Sequence, residues 1–118
     1  MGNFKELCAW RLSLDLCKAI YRVTEYFPDK ERFGLISQMR RASVSMMSNI
    51  AEGSRRGGRD QIYFLRIAQG SAAELESQLI LSREIGLLKK QDESIFDLLQ
   101  HAGSVLYLYR KRLEALLP

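Results

Sequence analysis

The chain has 118 residues, 47% hydrophobic and 27% charged, with two prolines. That is the size and composition of one globular domain able to bury a core without disulfides or metals, and it excludes an extended disordered protein. Its 18 Lys and Arg against 14 Asp and Glu give a net charge of +4 and a pI near 9.3, which permits an anionic partner without requiring one. No apolar run reaches the roughly 18 residues of a membrane helix, and the N-terminus lacks the apolar core of a signal peptide. Met1-Gly2 fails as a lipid acceptor because Glu6 stands where Ser or Thr is needed. Cys8 and Cys17 are nine apart on a helical pattern and face opposite ways, so a reduced, cytoplasmic chain with no membrane contact is expected.

Apolar residues keep a period near 3.6 throughout, and no strict alternation long enough for a strand occurs. Helix 1, expected over residues 6–27, carries Leu7, Trp10, Leu14, Cys17, Tyr21 and Thr24 on one stripe, widened by Leu12, Leu16, Ile20, Val23 and Phe27. Pro28 ends it by disfavouring helical geometry at Phe27. Helix 2, residues 33–53, presents Leu35, Met39, Ala42, Met46 and Ile50, and Gly53 is read as its left-handed stop. Ser54 to Arg59 is then a turn. Helix 3, residues 60–86, opens at Asp60, runs through Leu65, Ala68, Ala72, Leu75 and Leu79, and closes at Gly86. Helix 4, residues 92–116, is defined by Ile95, Leu98, Leu99, Ala102, Leu106, Tyr109 and Leu113. Four such helices with short connections predict an all-α, antiparallel up-down-up-down four-helix bundle that occupies residues 1–118 as a single domain.

Several elements stand out from this periodic background: Trp10, Tyr21, Phe27-Pro28, Glu31 to Leu35 (ERFGL), Gln38, Arg41-Ala42, Ser45, Asn49 to Gly53 (NIAEG), and Gly70-Ser71 with Glu74. With them the chain resembles, from about Leu7 to Leu113, the four-helix bundle proteins called 23S rRNA intervening-sequence proteins. The resemblance implies a small bacterial protein of uncertain activity. It further implies a likeness in fold and ring-forming habit to the accessory proteins of diversity-generating retroelements, which engage nucleic acid and a reverse transcriptase. A homo-oligomeric ring, most simply a pentamer, is the expectation that follows.

Folding helices 2 and 3 back about Gly57 sets Arg41 opposite Glu74 and Ser45 opposite Gly70 or Ser71. An Arg41 to Glu74 ion pair and a tight crossing of Ser45 on Gly70 are therefore expected, since an interior glycine costs about 1 kcal/mol relative to alanine unless close approach demands it. Asn49 and Glu52 are expected to join Arg41, Ser45, Ser71 and Glu74 in a structural polar network.

Arg55, Arg56 and Arg59 place three guanidiniums on one turn, and the planar arginine fork suits phosphate. These are the candidate nucleic-acid-binding residues. Arg110, Lys111 and Arg112 are second candidates, because cations in a last helical turn also complement the dipole; they are expected at the end of the bundle away from the arginine turn. Gly53 and Gly58 have the spacing of a phosphate-binding loop, but Arg59-Asp60 replaces its Lys-Ser/Thr pair and a helix precedes it. One histidine, His101, and two divergent cysteines offer no metal site, and no nucleophile motif or cofactor signature occurs. The function expected is non-enzymatic: RNA or DNA bound through phosphates, or a protein-interaction scaffold whose arginines meet an acidic partner.

Overall fold

The computed structural model describes residues 3–118; Met1 and Gly2, with the lipid-acceptor reading that concerned them, lie outside the described residues. Four α-helices form the fold, α1 Cys8–Thr24, α2 Ser37–Arg56, α3 Gly58–Glu84 and α4 Ile95–Leu116, and no strand occurs among the described residues. Each packs on its neighbours in sequence, and α4 closes against α1. Contacts at the two ends fix the directions. Beyond α1, the Tyr26 hydroxyl donates to Asp92 at 2.8 Å and accepts from the Lys89 amide at 3.1 Å, joining the α1–α2 connection to the α3–α4 connection. Burial pushes the Tyr26 hydroxyl above its ordinary pKa. At the opposite end the Arg55 guanidinium lies 5.4 Å from the ring centre of Phe4, and Arg59 donates to the Pro118 carbonyl. The helices therefore alternate up and down.

Helix boundaries differ from the sequence reading for local reasons. α1 stops at Thr24, whose hydroxyl donates to the Ile20 carbonyl at 2.7 Å, and Phe27 beyond it is still buried. Before α2, residues Arg32–Ile36 make one widened turn around Gly34, which leaves helical geometry at φ −112° and ψ −112°. The Glu31 carboxylate accepts from the Leu35 amide there. α4 begins at Ile95, after a short turn at Lys90–Asp92.

The largest departure is at Gly53, which is not a helix stop. It lies buried inside α2, and a Cβ on it would stand 3.1 Å from both the Gln61 carbonyl oxygen and Phe64 Cβ of α3. Its lack of a side chain admits α3. The stop is Gly57, at φ 70°, followed by Gly58 at φ 58°, a left-handed conformation that is cheap only for glycine. Residues 54–59 are thus helix on either side of a one-residue joint. At the far end of α3, Gly86 adopts φ 82°, and the Leu87 amide donates back to the Ser82 carbonyl at 2.8 Å.

Leu16, Ile20, Met39, Met46, Ile50, Leu65, Leu75, Leu79 and Leu106 are fully buried at the centre, and burial of each such side chain stabilises by about 1.5 to 3 kcal/mol. Three buried hydroxyls are satisfied within their own helices: Ser13 donates to Trp10, Ser43 to Arg40 and Ser82 to Gln78, each to a backbone carbonyl. Cys8 is exposed and Cys17 buried, both free, and burial pushes the Cys17 thiol up. Among the described residues no helix is long and apolar enough to cross a membrane.

Candidate nucleic-acid interface

Because the joint is a single glycine, the arginines stand on helix rather than on a flexible loop. Arg55 and Arg56 are in the last turn of α2 and Arg59 in the first turn of α3. Their surroundings differ. Arg56 bonds Glu52 at 2.8 Å, reaches Asp60 at 3.8 Å and lies over the Phe64 ring. The Glu52 hydrogen bond, then its charge, holds the Arg56 guanidinium above its ordinary pKa. Arg55 packs over Phe4 and makes no ion pair among the described residues, and Arg59 donates to the Pro118 main-chain oxygen at 3.2 Å. Of the three, Arg55 and Arg59 have no Asp or Glu partner among the described residues.

The basic run of α4 is at this same end, contrary to the sequence expectation: four alternating helices return the C-terminus of α4 to the α2–α3 joint. Arg59 meets Pro118 there, and Arg66 pairs with Glu114 at 3.0 Å. Arg110 is committed to Gln69 and Glu114. Lys111 and Arg112 are exposed and make no ion pair among the described residues. Cutting each helix at its midpoint gives a half made of residues 3–16, 47–71 and 106–118, with nine Lys and Arg against five Asp and Glu; the other half has nine against nine. The whole net charge of +4 thus sits around the α2–α3 joint.

Between α2 and α3, Ser71 donates to the Ser45 hydroxyl at 2.8 Å, and the Asn49 amide donates to the Ser45 carbonyl at 2.8 Å and hydroxyl at 3.2 Å. These three side chains form one network. Glu52 is not in it, being turned to Arg56. Arg41 and Glu74 line a common cleft without forming the expected ion pair. Gly70 is exposed, and a Cβ there would meet nothing within 4 Å, so the close glycine of this crossing is Gly53. Sequence reasoning missed the link from the Gln61 amide to the Tyr109 hydroxyl at 2.9 Å, which ties α3 to α4. It also missed Arg40, which donates to Thr24 at 2.9 Å, pairs with Glu25 at 3.2 Å and lies over Tyr21.

A family described as 23S rRNA-intervening sequence protein matches residues 5–107. The chain belongs to this family. A crystal structure of a protein with unknown function from the S23 ribosomal protein family of Bacteroides thetaiotaomicron VPI-5482 is similar, with a TM-score of 0.79 and 25% identity over 87% of this chain and 95% of that one. No curated protein matches.

This intervening-sequence family member gathers no group of three or more His, Cys, Asp or Glu able to hold a metal ion among its described residues. His101 is exposed on α4. What the basic end can do chemically is present fixed guanidinium and ammonium groups to an anion.

Proposed function

We propose that the chain is a non-enzymatic, cytoplasmic nucleic-acid-binding protein that lays the basic end of its bundle against the phosphates of RNA or DNA. The observation that carries this reading is the concentration of the entire net charge around the α2–α3 joint, where Arg55, Arg59, Lys111 and Arg112 lack Asp or Glu partners among the described residues. The planar arginine fork loses less side-chain freedom per hydrogen bond to a phosphate than lysine does, and each phosphate neutralised adds salt-dependent affinity. Arg56 contributes less, because Glu52 and Asp60 already neutralise it.

The same reading includes self-association into a ring, a pentamer on the resemblance of the sequence. Exposed Tyr63, Tyr107, Leu108 and Leu116 on α3 and α4 supply apolar surface for it, and a ring repeats the basic end around one rim.

The test is binding of a labelled structured RNA and a matched DNA across a salt series, against a variant with Arg55, Arg59, Lys111 and Arg112 changed to Glu. The expected result is affinity that falls steeply with salt, by about 0.7 to 0.9 in log affinity per log salt for each phosphate contacted, and that disappears in the variant. Absence of binding at low salt overturns the proposal and leaves a scaffold with an acidic protein partner.

A further inference from the structure

We propose that the polar cleft between α2 and α3 binds a small zwitterion of the free α-amino acid class, with its carboxylate on Arg41 and its ammonium on Glu74. The cleft has a volume of about 550 Å³ and lies in the half of the bundle with no net charge, so the inference stands apart from nucleic-acid binding at the basic end. A volume of several hundred Å³ suits a small-molecule site.

Three observations support it. First, Arg41 and Glu74 carry opposite charges on opposite walls of the cleft, and neither makes an ion pair or hydrogen bond with another described side chain. Its chain neighbour Arg40 is fully engaged by Thr24, Glu25 and the Tyr21 carbonyl. Second, Gln78 lines the same cleft one helical turn beyond Glu74, so a further polar side chain stands on the α3 wall. Third, the floor is fixed: Ser45 accepts from both Ser71 and Asn49, so the wall is held by hydrogen bonds rather than by movable side chains.

These groups define the ligand. A simple anion would satisfy Arg41 and meet repulsion from Glu74; a simple cation would meet the converse. A molecule with both a carboxylate and an ammonium satisfies the two walls together, with the polar side chain of Gln78 beside them. L-Glutamine carries both charges and a polar side chain.

The experiment titrates nitrogen-labelled protein with L-glutamine to about 10 mM, a range that registers millimolar affinity, and follows backbone amide chemical shifts. N-Acetyl-L-glutamine, without the ammonium, and L-glutamine amide, without the carboxylate, are the comparisons. Saturable shifts confined to residues around Arg41, Ser45, Glu74 and Gln78, with both derivatives weaker by about tenfold or more, are expected from the loss of one charge-assisted contact. Arg41→Gln and Glu74→Gln should each weaken glutamine similarly, Arg41→Lys should recover part of the affinity, and Gln78→Leu should weaken it less. Both charged positions are exposed, so the variants keep the helical circular dichroism of the parent. No saturable shift in the cleft overturns the proposal. So does equal binding of the derivatives, or unchanged affinity in Arg41→Gln and Glu74→Gln.

Discussion

α3 is shared by two seams of different character. Toward α2 it is sealed over the half nearer Gly57, where Gly53 admits Gln61 and Phe64 at contact distance and Ser45, Asn49 and Ser71 bond across and along the interface; the cleft of Arg41 and Glu74 opens only beyond Ser45. Toward α4 it is propped open. A groove of about 620 Å³, lined in part by Ala72, Ala73, Gly103, Ser104 and Tyr107, runs along it, and a few long polar side chains span it, Gln61 to Tyr109, Arg110 to Gln69 and Arg66 to Glu114. Small residues occur in both seams. In one they let backbones approach, and in the other they leave space, so a run of small residues does not by itself report close packing; what decides is which residue faces the neighbour.

The sharpest way to break the sealed seam is Gly53→Ala. The added methyl meets the Gln61 backbone and Phe64 at 3.1 Å, and because backbone yields little, a loss of about 1 to 3 kcal/mol is expected in denaturant unfolding. On the open seam, Tyr109→Phe leaves the largely buried Gln61 amide without its acceptor, at an expected cost of about 1 kcal/mol. Ser71→Ala removes one donor to Ser45 while Asn49 still serves that hydroxyl, so the midpoint should move by an amount equivalent to about 0.5 to 1 kcal/mol. Gly103→Ala has the smallest effect and the opposite sign. Its Cβ would meet nothing within 4 Å, so the variant gains up to about 1 kcal/mol of helix propensity, as would Gly70→Ala. A destabilised Gly103→Ala would show that the groove is too narrow to take a methyl group.

Much of this was legible from spacing. The 3.6-residue period places Leu16, Met46, Leu75 and Leu106 in the core, and folding α2 onto α3 about Gly57 sets Ser45 near Ser71, which are hydrogen-bonded. The failures have definite causes. Gly53 carries the local signal of a stop, yet a glycine four residues before a Gly-Gly pair can equally be a crossing, and only the position of Phe64 separates the two. Gly70 looked like the crossing because glycine is costly within a helix, although its side of α3 faces solvent. The Arg41 to Glu74 pair was predicted from register, which sets which residues are opposite but not the width of the cleft between them. Arg55, Arg56 and Arg59 are equivalent as letters; Glu52, Asp60 and Phe4 distinguish them, and those contacts depend on the helical phase across the joint.

The one-residue joint at Gly57 also bears on how the chain folds in time. The ends of α2 and α3 are separated by a single residue, so their closure costs less loop entropy than that of the pairs joined by longer connections, and α4 can close against α1 only after nearly the whole chain is placed. The α2–α3 hairpin is then expected to form first. In stopped-flow chevrons Ser71→Ala should slow refolding, whereas Tyr109→Phe, acting on a seam completed later, should leave refolding nearly unchanged and speed unfolding.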